Sequence, residues 1–229
     1  MNRCKTLSER LNTEMVASPI EPERGILFVI SSPSGGGKGT LIRRILTYMP
    51  RLGYSISWTT RDPRQGEMNG RDYHFVTTEE FTAARERNEF LEWAVVHSHF
   101  YGTSLKVVDR ELAAGRDIIL EIDVQGAASI RRAGIEAVSV FILPPSFEIL
   151  KRRLTGRQSE NADALALRLQ NARGEVEHYR EFDYVVLNDD VERAATQLAS
   201  IVYAERALRP RQERLTEQVL ATFPLFEEG

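Results

Sequence analysis

The chain has 229 residues, 42% hydrophobic and 28% charged, enough for one sizeable α/β domain with an insertion or two small lobes. Lysine and arginine total 30 against 33 acids, a net charge of −3, so no global basic excess points to a nucleic-acid polymer, and phosphate binding must fall to local arginine clusters. One cysteine, Cys4, forms no internal disulfide; no apolar run is long enough to span a membrane, and the first residues lack the apolar core of a secretory signal, so a cytoplasmic, reduced setting is expected.

Residues 1–24 are polar, with Pro19 and Pro22 before the first apolar run, and read as an N-terminal leader without chemistry. Gly25 to Ile30 reads as a buried strand, SSPSGGGKGT (31–40) as a glycine loop, and Lys38 onward as a helix with an amphipathic pattern to Met49. A loop of small residues exposes consecutive backbone N–H groups, and the helix start adds its positive dipole end, so the loop suits a polyphosphate that Lys38 reaches. The loop departs from G-x-x-x-x-G-K-[ST] twice: Ser32 replaces the first glycine, and Gly39 follows the lysine where a magnesium-holding hydroxyl is usual, leaving Thr40 one place later. A plain strand-to-helix turn explains the glycines but not the lysine placed between these flanks.

Pro50 to Gly53 is expected to end that helix, and residues 54–60 alternate like a strand. Residues 61–76 form a polar excursion with Asn69-Gly70 as a hairpin signal, and Thr77 with Glu80 reads as a capping box opening a helix to Asn88. Phe90 to His97 reads as a strand, His99 to Thr103 as a turn, and Leu105 to Ala114 as a helix capped by Gly115. DIILEID (117–123) has the pattern of a buried parallel strand ending in carboxylates, followed by a helix from Gln125 to Ala133, a strand from Val138 to Leu143 and a helix from Phe147 to Leu154. The polar TGRQSENAD (155–163) between two helical patterns has the composition of a lid. A helix from Ala164 to Tyr179, a strand from Tyr184 to Leu187, a cap at Asn188-Asp189-Asp190 and a helix to Leu208 complete the domain. Beyond Pro210, Leu215, Val219, Leu220 and Phe223 share one helical face, which is expected to pack on the domain itself or on a partner subunit. Strand and helix alternating along the chain argue for a parallel sheet with helices on both faces.

Three constellations carry chemistry. The first is the loop, with Ser34, Gly35, Gly36, Gly37, Lys38, Gly39 and Thr40 around the triphosphate. The second is the segment holding Ser57, Arg61, Arg64, Glu67 and Tyr73, joined by Glu92, Tyr101, Thr103, Glu121 and Asp123. Arginines and hydroxyls bind phosphate, and a carboxylate accepts the adjacent N1–H and N2 amino donors of guanine, whereas adenine offers an acceptor at N1. Taken alone, residues 61–76 could equally be a solvated, charge-paired hairpin. The third is Arg152, Arg153, Arg157 and Arg168 around the lid, the positive charge that phosphoryl transfer requires; helix arginines are equally often a solvated face. The histidines show no metal-ligand spacing, and Trp58 and Trp93 read as packing residues.

Over residues 25–208 the segments SSPSGGGKGT, TTRDPRQGE, NGRDYHF, NEFLEW, YGT, LEIDVQG, the GR pair and VVLNDD are similar, in order, to those of the guanylate kinases. The resemblance implies an α/β fold: a P-loop NTPase-type parallel sheet flanked by helices, with an inserted mixed-β GMP-binding lobe and a helical lid. It implies a leader (1–24), a core (25–53 and 105–208), an insertion near 54–104, a lid near 152–168 and a tail (209–229). It also implies transfer of the γ-phosphoryl group of ATP to GMP, and to dGMP, in guanine nucleotide synthesis and GMP recycling. Magnesium accompanies the ATP, held in part through water by Thr40 and Asp123. On this resemblance Ser57, Glu92 and Asp123 read guanine, with Glu121 beside them; Arg61, Arg64, Tyr73 and Tyr101 hold the GMP phosphate, Glu67 supports the arginines, and Thr103 supplies a hydroxyl. Lys38, Arg153, Arg157 and Arg168 are the catalytic cations, and Asn188 contacts adenine. Small nucleotides rather than a nucleic-acid polymer or a membrane are the implied partners, with a homo-oligomer left open. A ribose bisphosphate kinase lacks a guanine reader, and non-catalytic guanylate-kinase-like scaffolds have eroded loops, so both fit these residues less well.

Overall fold

The computed structural model describes residues 24–96, 98–155 and 162–224, with the side chains of 162–168 outside the description. Strand β1 (Leu27–Ser31) is buried along its whole length. Its alternation sends Phe28 and Ile30 to one face of the sheet and Leu27 and Val29 to the other. Helices α1 (Lys38–Leu46) and α7 (Val191–Arg206) cover the first face with Leu41, Ile42, Ile45, Leu198 and Val202. Helices α3 (Leu105–Ala113) and α4 (Val124–Arg132) cover the second with Val108, Leu112, Ala127 and Ile130. A strand buried on both faces reads as a continuous apolar run, which is why LFVI, DIIL and VFIL identify themselves. Together with β2 (Leu52–Tyr54), β7 (Asp117–Glu121), β8 (Val138–Leu143) and β9 (Tyr184–Leu187) they form a five-stranded parallel sheet in the order β2-β7-β1-β8-β9. At its far end the buried Asp117 accepts a bond from the Ile26 N–H at 2.7 Å and pairs with Arg206, joining sheet and α7.

The second sheet has the order β4-β3-β6-β5, from β3 (Trp58–Thr59), β4 (His74–Phe75), β5 (Phe90–Val96) and β6 (His99–Ser104). Helix α2 (Thr78–Glu86) packs on it, opened by the expected capping box between Thr77 and Glu80. The lobe's core is aromatic: Phe81 stacks on Phe90 and Phe100 with centroids 4.5 and 5.2 Å apart. Helices α5 (Phe147–Thr155) and α6 (Ala162–Glu177) flank the predicted lid, and α8 (Arg209–Leu220) ends the described chain.

Three local expectations are corrected. The strand read at 54–60 is split: Leu52–Tyr54 pairs with β7 in the core sheet, and only Trp58–Thr59 enters the second. Asn69-Gly70 makes a turn, with Gly70 at φ 77° and its N–H bonded to Tyr73, but no hairpin follows, because β4 runs parallel to β3. His99–Thr103 is not a turn but strand β6, antiparallel to both β3 and β5, and the reversal falls before it at Ser98, whose φ is 67°. Gly102 suggests a turn in sequence but sits in β6 because a side chain there would strike the rings of Phe90 and Phe81. The tail helix forms as read, yet Leu215, Val219, Leu220 and Phe223 are all exposed and do not pack on the domain.

Candidate active site

The carboxyl ends of β1 and β7 carry the site, where an open parallel sheet leaves a crevice. After Ser31 the loop turns through Gly35 and Gly37 at φ 82° and 90°, conformations that side chains rarely adopt, and α1 begins at Lys38. The Lys38 ammonium lies 3.3 Å from Glu121 Oε1, and the Tyr54 hydroxyl donates to Glu121 Oε2 at 3.0 Å. Glu121 therefore orients the lysine. A side chain on Gly39 would stand 3.1 Å from Glu121 Oε1 and 3.4 Å from the Arg43 guanidinium, so the glycine after the lysine leaves room for this carboxylate. Thr40 is exposed in the first turn of α1. Burial, reinforced by the Glu121 carboxylate, drives the Tyr54 hydroxyl far above its usual range, and it stays a donor.

The rest of the loop is held from the lid side. The Ser34 N–H donates to Glu175 Oε2 at 2.8 Å, and the Asn188 side-chain amide donates to the Gly36 carbonyl at 2.8 Å. Arg153 bridges the Gly36 and Asn188 carbonyls at 3.3 and 2.9 Å. Asn188, expected at adenine, is thus buried against the loop itself. Arg157 lies outside the described residues, as does the side chain of Arg168; Arg152 is exposed on α5.

Opposite the loop, β5, β6 and the start of α4 bring together Glu92, Thr103 and Asp123. The Thr103 hydroxyl donates to Glu92 Oε1 at 2.6 Å, and both residues are buried. Asp123 caps α4 by accepting the Gly126 N–H at 2.9 Å. A side chain at Gly126 would stand 2.7 Å from Glu92 Oε2 and 3.3 Å from Asp123 Oδ1, so the two carboxylates converge over this glycine. Burial pushes the Glu92 carboxyl up to about 7, Thr103 opposing the rise and Asp123 adding to it. Ser57 is buried at the lobe's inner edge.

Arg61 forms the centre of a third group. Its guanidinium bonds Glu67 at 3.0 Å and the Tyr101 hydroxyl at 3.3 Å, and lies over the Tyr73 ring 5.3 Å from its centroid. Glu67 also accepts the Arg64 backbone N–H at 2.8 Å, which fixes the arginine turn, while the Arg64 side chain is exposed and free to reach an anion. Burial and the nearby Glu121 push Tyr73 up to about 12, so its hydroxyl remains a donor at neutral pH. The arrangement offers one anion cradle at the loop, a second at Arg61, Arg64, Tyr73 and Tyr101, and a buried carboxylate pair beside the second.

Among the described residues no three His, Cys, Asp or Glu side chains cluster as a metal cage. The oxygen donors present, Glu121, Asp123 and the Thr40 hydroxyl, suit a hydrated magnesium ion carried in on a triphosphate, which requires one or two carboxylates and no cage. Sequence reasoning missed Glu175, Tyr54 and Gly126. Gly126 was the most accessible of these, since a glycine inside a helical pattern next to two carboxylates asks what approaches it.

The guanylate kinase family model matches residues 24–205. A guanylate kinase of Dechloromonas aromatica (strain RCB) is 50% identical over 200 residues, spanning 86% of this chain and 99% of that protein. One of Neisseria gonorrhoeae (strain ATCC 700825 / FA 1090) is 50% identical over 189 residues, spanning 82% of this chain and 92% of that protein. The crystal structure of guanylate kinase from Anaplasma phagocytophilum superposes with a TM-score of 0.72 at 34% identity, covering 89% of this chain and 98% of that one. With its parallel sheet, its second sheet of mixed strands and these relatives along nearly the whole domain, the chain belongs to the guanylate kinase family.

Proposed function

We infer that this protein transfers the γ-phosphoryl group of ATP to GMP, giving ADP and GDP. The observation that carries the reading is the convergence of Glu92 and Asp123 over Gly126 beside an arginine and tyrosine cradle. One carboxylate of the pair accepts the N1–H and N2 amino donors of guanine, and Arg61, Arg64, Tyr73 and Tyr101 hold the GMP phosphate. ATP lies with its phosphates in the loop, its β- and γ-phosphates met by Lys38 and by the N–H groups of residues 37–39, the Gly36 N–H being bonded to the Pro33 carbonyl at 2.8 Å. The acceptor phosphate is already an anionic nucleophile, so no general base is required, and catalysis is alignment plus neutralisation of charge. Lys38 is held ready by Glu121, and Arg153, Arg157 and Arg168 bring positive charge from the lid side, excluding water as lid and lobe close.

Glu121, Asp123 and the Thr40 hydroxyl would hold magnesium partly through water, and the ion would supply charge neutralisation to the triphosphate. The family resemblance extends the acceptor to dGMP. Among the described residues no helix is long and apolar enough to cross a membrane, and a cytoplasmic enzyme acting on soluble nucleotides accords with this. Phosphorus NMR of ATP, magnesium and GMP with the enzyme tests the reading: GDP and ADP should accumulate together. ATP hydrolysis without GDP, or no reaction, would overturn it.

A further inference from the structure

Of the two Gly–Gly peptides in the phosphate loop, Gly35–Gly36 is held by the Gly36 N–H bond to the Pro33 carbonyl at 2.8 Å, which leaves Gly36–Gly37 the freer to rotate. Neither residue has a Cβ to bias its rotation, and Gly37 sits at φ 90°. In a trans peptide the C=O and the following N–H point in opposite directions, so the direction of the Gly36 carbonyl decides where the Gly37 N–H points. A carbonyl turned into the cradle would place an acceptor against a phosphate, whereas a carbonyl turned out presents a donor to it.

We propose that Asn188 is a positioning residue for the phosphate loop, holding the Gly36 carbonyl outward and so turning the Gly37 N–H toward the phosphates. Its Nδ2 donates to the Gly36 carbonyl at 2.8 Å, and it packs so closely that a side chain on Gly37 would come within 2.2 Å of it. The amide cannot be reversed, since Oδ1 against a carbonyl would oppose two acceptors. Asn188 is itself fixed. Its N–H continues the β8–β9 ladder to the Leu143 carbonyl at 2.8 Å, its own carbonyl accepts from Arg153 at 2.9 Å, and its residue surface is 2% exposed. Arg153 reaches the Gly36 carbonyl only at 3.3 Å, so Asn188 makes the shorter bond. The end of the sheet thereby sets the direction of the Gly36–Gly37 peptide.

This assignment rests on the reading of the loop as the ATP phosphate site, and its test separates it from a contact to adenine. Calorimetry with inorganic tripolyphosphate and with ATP is compared for the wild type, Asn188→Ala and Asn188→Leu; leucine fills the space without donating. Loss of the clamp should weaken tripolyphosphate and ATP by the same factor, about tenfold, raise the KM for ATP in turnover and leave GMP affinity unchanged. ATP weakened with tripolyphosphate unaffected would make Asn188 a reader of the base alone, and no change in either would show that the loop needs no clamp; both overturn the proposal. Uniform weakening of GMP along with both polyphosphates would reduce Asn188 to a general structural residue, which also overturns it. If the wild type bound tripolyphosphate but failed to phosphorylate GMP, the activity would be misassigned while the comparison still read the clamp.

Discussion

Replacing Glu92 by glutamine should make the protein more stable and less able to bind its acceptor. The side chain is 6% exposed, and the folded protein holds its proton up to about pH 7, against an ordinary value of 4.5. Because the folded pKa lies above the unfolded one, the native state binds the extra proton between these values, and stability falls as pH rises through that window. The penalty is absent below about pH 4.5, grows to pH 7 and is complete above it. At about 1.4 kcal/mol per pH unit, ionising Glu92 at pH 8 costs on the order of 3 kcal/mol. Glutamine keeps the shape and removes the charge, and the rotating Thr103 hydroxyl can still pair with it. For a protein of this size the gain corresponds to an upper bound of roughly 6–12 °C in melting temperature. Calorimetric melting of both proteins at pH 8 and pH 5 should show the variant well above the wild type at pH 8 and only about 2–3 °C above it at pH 5. GMP binding should move the other way, the variant losing about 2–4 kcal/mol of charge-assisted bonding. Wild-type GMP affinity should fall about tenfold from pH 8 to pH 6 as the carboxylate protonates. The GMP phosphate titrates nearby, and the glutamine variant, which shares that titration, isolates the carboxylate. A variant that melts no higher than the wild type at pH 8, or by the same margin at both pH values, would refute the argument that a buried charge is held here for binding.

Two further substitutions separate the subsites. Lys38→Ala, which removes the cation held 3.3 Å from Glu121, should lower kcat by about two to three orders of magnitude while the melting temperature moves little; near-normal turnover in the ADP-release assay would remove the lysine from the mechanism. Gly126→Ala places a methyl 2.7 Å from Glu92 Oε2, so the KM for GMP should rise by at least about tenfold with the KM for ATP unchanged. Equal effects on both nucleotides would show that Gly126 serves the fold and not the guanine pocket.

The parallel sheet was legible because each central strand is buried on both faces and therefore continuously apolar, and the phosphate loop because its residues are contiguous. The carboxylates and arginines of the second subsite were legible by type but not by geometry. That Glu121 holds Lys38, and that Gly39 makes room for it, depends on β7 lying beside β1, which no local pattern encodes. The bonds from Ser34 to Glu175 and from Asn188 to Gly36 cross 141 and 152 residues, and a polar side chain gives no sign of so distant a partner. In sequence Asn188 reads as part of a helix cap, and the family resemblance implies an adenine contact, whereas its burial against Gly36 comes from the fold. In the second sheet β3 and β4 have two residues each, too few for an alternating pattern, and the polar His99 and Thr103 around Gly102 read as a turn although Gly102 is the gap into which Phe81 and Phe90 pack.

The measurement closest to the central claim is kcat/KM for GMP against AMP and ribose 1,5-bisphosphate, followed by ADP release with saturating ATP and magnesium. A pocket whose buried Glu92 must be met by guanine's donors leaves an unpaired charge when they are missing, so GMP should be preferred by at least about a thousandfold. Comparable values for AMP or ribose 1,5-bisphosphate would contradict the assignment of Glu92 and Asp123 as the guanine readers.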